Sequence, residues 1–360
     1  MMPTHRAVLC NRGLSAYAGV AVFFFLLNIP LSIRAQTSAP KKMSSTRGSK
    51  KGTVSQRVSL SPRFSPGQVF RYAMEFETTS STRRSGLAAD PQGPTSKVVT
   101  WNATIRLEVL AADSGAAGGT RLRVTYEKSA VTVRTDTFDP SAVETQEQYL
   151  KLEGKIVEFT LDPSGKVKSV SGLEGIVDGE RGAQLARDWI THLDASSGAP
   201  PGGVLVGDTW KSEQPADTLP LAGLAWRTDS QYLRNEPCNP PNPDLPATPA
   251  AADPAATSGK MEPCAVILTN LNLVQPKRVR DSTPEEYRKN GIQTAGRWAG
   301  SGQSLVYVSL NTGAVVSVSQ TGSQDMDITA TNDQNVSLHY TGTVLSRSQV
   351  ESISDEPLAK

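Results

Sequence analysis

The chain has 360 residues, of which 38% are hydrophobic and 20% charged, so it holds enough apolar material for one large domain or two small ones. This composition excludes a fully disordered chain. The formal net charge of +2 is a sum over unlike segments, because residues 1–57 contain basic residues and no acidic ones. In residues 58–360, 35 acidic residues outnumber the remaining 28 basic ones, a net charge of −7. An acidic body argues against nucleic acid as a partner.

The N-terminus has the layout of a secretory signal peptide over residues 1–35. Arg6 and Arg12 precede an apolar run at 16–27, and Ala35 offers a cleavage site. We therefore expect an exported protein of the periplasm or cell envelope. The alternative is an uncleaved segment that serves as an N-terminal membrane anchor.

Residues 36–60 are predicted to be a disordered basic linker, because they contain almost no large apolar residue. Its cations are Lys41, Lys42, Arg47, Lys50, Lys51 and Arg57. They predict a weak contact with an anionic membrane, and the alternative is a solvated spacer.

From Phe64 onward the apolar residues recur at every second position, which is typical of half-buried antiparallel strands. Strands are predicted at 69–77, 99–110, 122–126, 130–134, 155–161, 167–170, 226–233, 264–273, 305–310, 315–319, 325–329 and 336–344, with another beginning at Trp210. They define one β-rich domain over 61–348, followed by a flexible tail at 349–360.

Two segments predict helices. Leu173–Asp194 carries one apolar stripe, formed by Leu185, Ala186, Trp189, Ile190 and Leu193. Pro284–Lys289 has start and stop signals for a short helix. The predicted fold class is therefore mainly β (α+β), a curved antiparallel sheet or half-barrel packed on one amphipathic helix.

Two cysteines remain after removal of the signal peptide, Cys238 and Cys264, on either side of a Pro/Ala-rich stretch at 239–263. We predict that they form a disulfide that closes the base of a disordered loop. A redox pair or a metal site is less well supported, because no CxxC spacing and no neighbouring His is present.

No pattern specifies a reaction. The mature chain has two histidines, His192 and His339, and it lacks the GxSxG, HExxH, P-loop and EF-hand motifs. Asp325 and Asp327 share a strand face, where they either bind a cation or simply face solvent. We expect no catalytic residues, no cofactor and no metal site, and hence no enzyme.

Four short motifs appear in order: FSPGQVFRY at 64–72, LDPSGKV at 161–167, VGDTW at 206–210 and LNTGAV at 310–315. Together they resemble an uncharacterised family of exported bacterial proteins with PGQ…Y, DxxGxV and VGDxW elements. In layout, such proteins are similar to the half-barrels of periplasmic lipoprotein carriers, in which an open sheet shelters acyl chains. The resemblance concerns the fold and implies no ligand-contacting residue.

Two functions are compatible with these features. The first is the binding of a lipid or another apolar ligand in the half-barrel. Its candidate ligand face is formed by Phe70, Tyr72, Met74, Phe76 and Trp101, unless these side chains simply fill the core. The second is a structural or protein-interaction module of the envelope, which needs a protein partner and no small-molecule ligand.

Overall fold

The computed structural model describes residues 57–86, 94–112, 119–137, 139–161, 167–172, 199–200, 202–216, 219–238, 262–275 and 281–353. Within these residues the chain forms one sheet of eleven strands and two helices. The strands are β1 Val69–Gly86, β2 Thr95–Ala112, β3 Thr120–Thr135, β4 Ile156–Leu161, β5 Val167–Ser171, β6 Thr209–Pro215, β7 Ala225–Pro237, β8 Pro263–Val274, β9 Ile292–Ser309, β10 Val315–Asn332 and β11 Ser337–Ile353. The helices are α1 Pro140–Leu150 and α2 Glu285–Lys289.

The sheet is antiparallel throughout, in the order β5-β4-β3-β2-β1-β11-β10-β9-β8-β7-β6. It consists of two meanders, β1–β5 and β6–β11, which meet where the first strand pairs with the last. That central pairing is long, from Arg71 opposite Ile353 to Gly86 opposite Leu338. The predicted mainly β class and the open antiparallel sheet are confirmed.

Two pairs of predicted strands are in fact single strands. β3 joins the segments predicted at 122–126 and 130–134, and a bulge in its pairing with β2 absorbs the change of alternation between them. β10 joins the segments predicted at 315–319 and 325–329. Its middle is polar on both faces, so it carries no alternating signal.

Helix α1 was not predicted from the sequence. Among its residues 142–150, whose burial is described, only Thr145 and Tyr149 are buried, whereas Val143 and Leu150 are 61% and 49% exposed, so these apolar residues form no stripe. The predicted short helix is confirmed as α2. The amphipathic helix predicted at Leu173–Asp194 lies outside the described residues.

The ordered chain extends beyond two of the predicted boundaries. Val58, at the end of the predicted linker, forms a β-bridge with Val204, and Leu60 is buried. At the other end, β11 continues to Ile353, five residues into the predicted tail.

Along most of the strands, the buried apolar side chains lie on one face of the sheet and most charged side chains lie on the other. We call the first the inner face; it includes Met74 on β1, Trp101 on β2 and Val350 on β11, which are cross-strand neighbours or near neighbours in the register. The opposite, outer face bears ion pairs such as Arg71 with Glu127. This alternation is expected of an antiparallel sheet that buries one side.

On the outer face, two arginine side chains stabilise the ionised carboxylate of Glu158. Arg123 donates two hydrogen bonds to Glu158 Oε1, at 2.9 and 2.7 Å, and Arg121 reaches Oε2 at 3.3 Å. These bonds, that of Arg123 first, lower the pKa of Glu158 from its ordinary value of 4.5. A carboxylate whose pKa is lower in the folded state stabilises the fold above its unfolded pKa and loses that contribution as the pH falls through the folded value.

We therefore expect Glu158→Gln to lower the free energy of unfolding at neutral pH by less than about 1 kcal/mol, since the pair is partly solvated. The difference from wild type should vanish in acid, where Glu158 is protonated in both states. Urea unfolding at neutral and acidic pH measures it. Glu75→Gln, on the outer face of β1 opposite Asn102 and Gln349, is the control. A Glu158→Gln deficit that persists in acid contradicts the assignment.

Candidate functional site

The five side chains predicted as a ligand face lie in or against the largest apolar cluster. Tyr72, Met74, Phe76 and Trp101 are buried, and Phe70 packs against them while partly exposed. Further members come from the neighbouring strands β2, β3 and β4 and from helix α1. The structure thus brings the predicted residues together, with protein neighbours around them.

Trp101 is at the centre of this cluster and is only 3% exposed. Its ring stacks on Phe76 with 5.2 Å between centroids and lies 5.1 Å from the ring of Tyr149 on α1. The indole N–H donates to Ser129 Oγ at 2.9 Å, and Ser129 Oγ donates to the Tyr149 carbonyl at 2.7 Å. These contacts fasten α1 to the inner face. Burial raises the pKa of the Tyr149 hydroxyl well above its ordinary value.

A row of small polar side chains crosses the inner face of the other meander. The residues occupy successive register positions on β7, β8, β9, β10 and β11, and we call them the polar row: Ser230, Thr269, Ser304, Gln320 and Ser348. Directly opposed side chains in an antiparallel pair lie within contact distance of each other. Ser230 Oγ and Thr269 Oγ1 share a hydrogen bond of 2.9 Å. At the next positions of the same row, β1 and β2 carry Phe76, directly opposite Ser348, and Trp101, directly opposite Phe76.

Exposure changes along this row. Ser230 and Ser304 are buried, whereas Gln320 and Ser348 are half-buried. Their inner-face neighbours on β10 and β11, Gly322 and Ser346, are half-buried as well. The middle of the sheet therefore presents hydroxyl and amide groups that water or a ligand can reach.

The inner face of β7–β11 carries no charged side chain along the register that the strand pairs define. On β2 the inner-face cation Lys97 is paired, with Nζ 3.4 Å from Asp139 Oδ2 and 3.4 Å from Thr145 Oγ1. An isolated charge would be costly in such a place. The arrangement therefore suits a molecule with uncharged polar groups and apolar groups.

Gln214, on edge strand β6, is a second polar feature of the inner face. It is 1% exposed, and neither its amide nitrogen nor its amide oxygen has a hydrogen-bond partner. A buried amide without partners costs about 1–3 kcal/mol. It lies opposite Trp226, which belongs to a separate apolar cluster with Leu273 and Trp298.

The predicted disulfide between Cys238 and Cys264 is confirmed. It joins the ends of β7 and β8, with the two Cα atoms 4.8 Å apart, and both cysteines are buried. Residues 239–261, the body of the predicted loop, lie outside the described residues.

A serine, a histidine and an aspartate come together on the outer face of the central strands. Ser85 and His339 are directly opposed on β1 and β11, with Ser85 Oγ 3.3 Å from His339 Nδ1. His339 Nε2 is 2.7 Å from Asp327 Oδ1 on β10. The His339 and Asp327 side chains are 42% and 68% exposed. Sequence analysis identified His339 and Asp327 but not Ser85.

Of the remaining candidate residues, the structure describes Asp325, whereas His192 lies outside the described residues. Asp325 is exposed on the outer face of β10, and Asp333 follows at the β10–β11 turn. Among the residues that the structure describes, no group of three His, Cys, Asp or Glu side chains is arranged to hold a metal ion. No helix in that part of the chain is both long and apolar enough to cross a bilayer.

Comparison with known proteins identifies no family for this chain. No family model matches the chain, and neither does any curated protein. A solved structure of lipovitellin, titled for its lipid–protein interactions, aligns with 82% of this chain at 9% identity and a TM-score of 0.42, and the chain spans only 26% of it.

Two other solved structures match more weakly. DynF from the dynemicin biosynthesis pathway of Micromonospora chersina has a TM-score of 0.18 at 8% identity, over 88% of this chain and 94% of its own. OpdQ of Pseudomonas aeruginosa has a TM-score of 0.20 at 7% identity, over 79% and 98%. These likenesses are too weak to assign a function to this chain.

Proposed function

We infer that the chain is an exported cell-envelope protein that holds a lipid or another amphipathic molecule against the inner face of its open sheet. One observation carries this proposal. The inner face of β10 and β11 carries no charged side chain, its Gln320 and Ser348 are half-buried, and the polar row continues directly into a cluster of aromatic side chains.

The two halves of that surface suit two parts of one ligand. Gln320 and Ser348 offer an amide and a hydroxyl to an ester, amide or hydroxyl group of the ligand. Phe70, at the half-exposed margin of the aromatic cluster, offers apolar contact to a chain or ring. Because Phe76 and Trp101 are already packed by protein, the ligand lies beside them on β10 and β11.

Export is supported by the cysteine chemistry and by the N-terminal sequence. Disulfides persist in oxidising compartments outside the cytosol, and Cys238 and Cys264 form one. The signal-peptide pattern at residues 1–35 and the resemblance to exported bacterial proteins point to the same compartment.

The test compares neighbouring positions on opposite faces of β10. Gln320→Glu places a carboxylate on the inner face without changing the shape of the side chain. Thr321→Glu places one on the outer face, where Arg347 is directly opposite. Protein is purified from its own host and analysed by native mass spectrometry, then titrated with a phospholipid and a fatty acid. We expect a co-purified lipid in wild type and in Thr321→Glu, and an affinity at least about tenfold lower in Gln320→Glu, because a carboxylate on this face must be desolvated.

The proposal fails if no lipid co-purifies and neither probe raises the melting temperature. It also fails if both variants bind as wild type does. In the first case an envelope interaction module becomes the better hypothesis, and crosslinking in intact cells should then identify a partner. Circular dichroism of both variants establishes that each is folded.

A further inference from the structure

The outer-face residues Ser85, His339 and Asp327 have the connectivity of a nucleophile, a base and an orienting carboxylate. Two side-chain contacts link them, of 3.3 Å from Ser85 Oγ to His339 Nδ1 and of 2.7 Å from His339 Nε2 to Asp327 Oδ1. The three lie on adjacent strands in the centre of the sheet, with Ser85 and His339 directly paired. The position of the imidazole is therefore defined from both sides.

The carboxylate determines which ring nitrogen carries the proton. An ionised Asp327 only accepts hydrogen bonds, so in the neutral imidazole Nε2 is the donor toward Asp327. Nδ1 is then the acceptor, and it faces the Ser85 hydroxyl. This is the proton arrangement that activates a serine in nucleophilic catalysis.

We propose that Ser85, His339 and Asp327 form a surface site that hydrolyses activated esters, an activity that is separate from binding on the inner face. His339 Nδ1 takes the Ser85 proton while Oγ attacks the ester carbonyl, and the tetrahedral intermediate collapses to an acyl-serine. The proton passes from His339 to the departing alcohol. A water molecule, deprotonated by His339, then attacks the acyl-serine and releases the acid, and Ser85 recovers its proton.

The surrounding charges indicate the class of ester. Arg83 and Arg297 lie on the same outer face, and the register places them in one row: Arg83 opposite Thr341, Thr341 opposite Asp327, and Asp327 opposite Arg297. Both arginines are exposed. Arg83 is the cation nearest to the serine in this row, two residues from Ser85 on the same face of β1, and it favours a substrate that carries a carboxylate or phosphate beside its ester bond.

The experiment uses the full mature chain with two chromogenic esters, neutral p-nitrophenyl acetate and anionic mono-p-nitrophenyl succinate. Wild type should release nitrophenolate with a burst, and peptide mass spectrometry should locate the acyl group on Ser85. Ser85→Ala should abolish the acylation. The matched control is Ser81→Ala, a change to an exposed serine on the same face of β1, and it should behave as wild type.

Three further results test the assigned roles. His339→Gln should lower the acylation rate at least about 100-fold, in line with the contribution of a general base. Asp327→Asn should lower it with the fold intact, as judged by circular dichroism. Arg83→Gln should reduce the preference for the succinate ester over the acetate ester. If the three side chains form only a structural cross-strand contact, these substitutions should change the melting temperature and leave the rates of ester hydrolysis unchanged.

The proposal is overturned if Ser85→Ala releases nitrophenolate as fast as Ser81→Ala, or if the acyl group is found elsewhere. Because Ser85 and Gln320 lie on opposite faces of the sheet, lipid binding by Ser85→Ala is measured in parallel. Either function can then fail without the other.

Discussion

Replacement of Trp101 by alanine is expected to lower the free energy of unfolding by about 3–5 kcal/mol, the usual cost of removing a buried tryptophan from a packed core. The ring fills the space between Phe76 and Tyr149, so its loss leaves a cavity between the sheet and α1. The Ser129 hydroxyl also loses the hydrogen bond that it accepts from the indole N–H. Urea unfolding followed by circular dichroism measures the change.

Two further variants divide this effect into its parts. Ser129→Ala removes the hydrogen bonds to Trp101 and to the Tyr149 carbonyl while the rings stay, and it should cost about 1 kcal/mol for each lost bond. Val143→Ala, at an exposed position of α1, should change the stability by less than about 0.5 kcal/mol. If Trp101→Ala is as mild as Val143→Ala, the aromatic cluster is not a core, and the ligand face predicted from the sequence becomes the better interpretation.

The strands could be predicted from the sequence wherever the burial of one sheet face requires apolar residues at every second position. The strand at Val69 follows this rule, with Tyr72, Met74 and Phe76 buried at every second position. β10 does not, because Gln320, Gly322 and Gln324 put polar or small residues on its inner face as well. The gap between its two predicted halves is therefore the place where the polar row crosses the strand.

Other features depend on contacts that are distant in sequence. Helix α1 is held by Tyr149 and Thr145 rather than by an apolar stripe, so its pattern carries no amphipathic signal. Ser85 and His339 are 254 residues apart and meet only through the β1–β11 pairing. A search for local motifs does not find this pair, since the register of the sheet brings the two residues together. Acylation of Ser85 would contradict the expectation, drawn from the sequence, that the chain is not an enzyme.

The second large effect is expected from the disulfide. Replacing both Cys238 and Cys264 by alanine should lower the free energy of unfolding by about 3.5 kcal/mol, the chain-entropy value for a closed loop of about 25 residues. The two positions are 26 residues apart in sequence, and both side chains are buried at the end of the β7–β8 pair, so alanine leaves no polar group without a partner. Reduction of the wild type should lower its free energy of unfolding by a similar amount, measured by urea unfolding. The same treatment should leave the stability of the double variant unchanged.

A loop deletion tests whether chain entropy is the cause. In the oxidised protein the cystine already closes the loop, so removing half of residues 239–261 should change the stability little. In the double alanine variant the same deletion shortens a loop that must close on folding, and it should recover about 0.6 kcal/mol. Equal effects of the deletion in both backgrounds would show that the disulfide stabilises the β7–β8 end through native-state contacts. In that case the cost of the double substitution would come from the lost packing of the cystine at Cys264, which is fully buried.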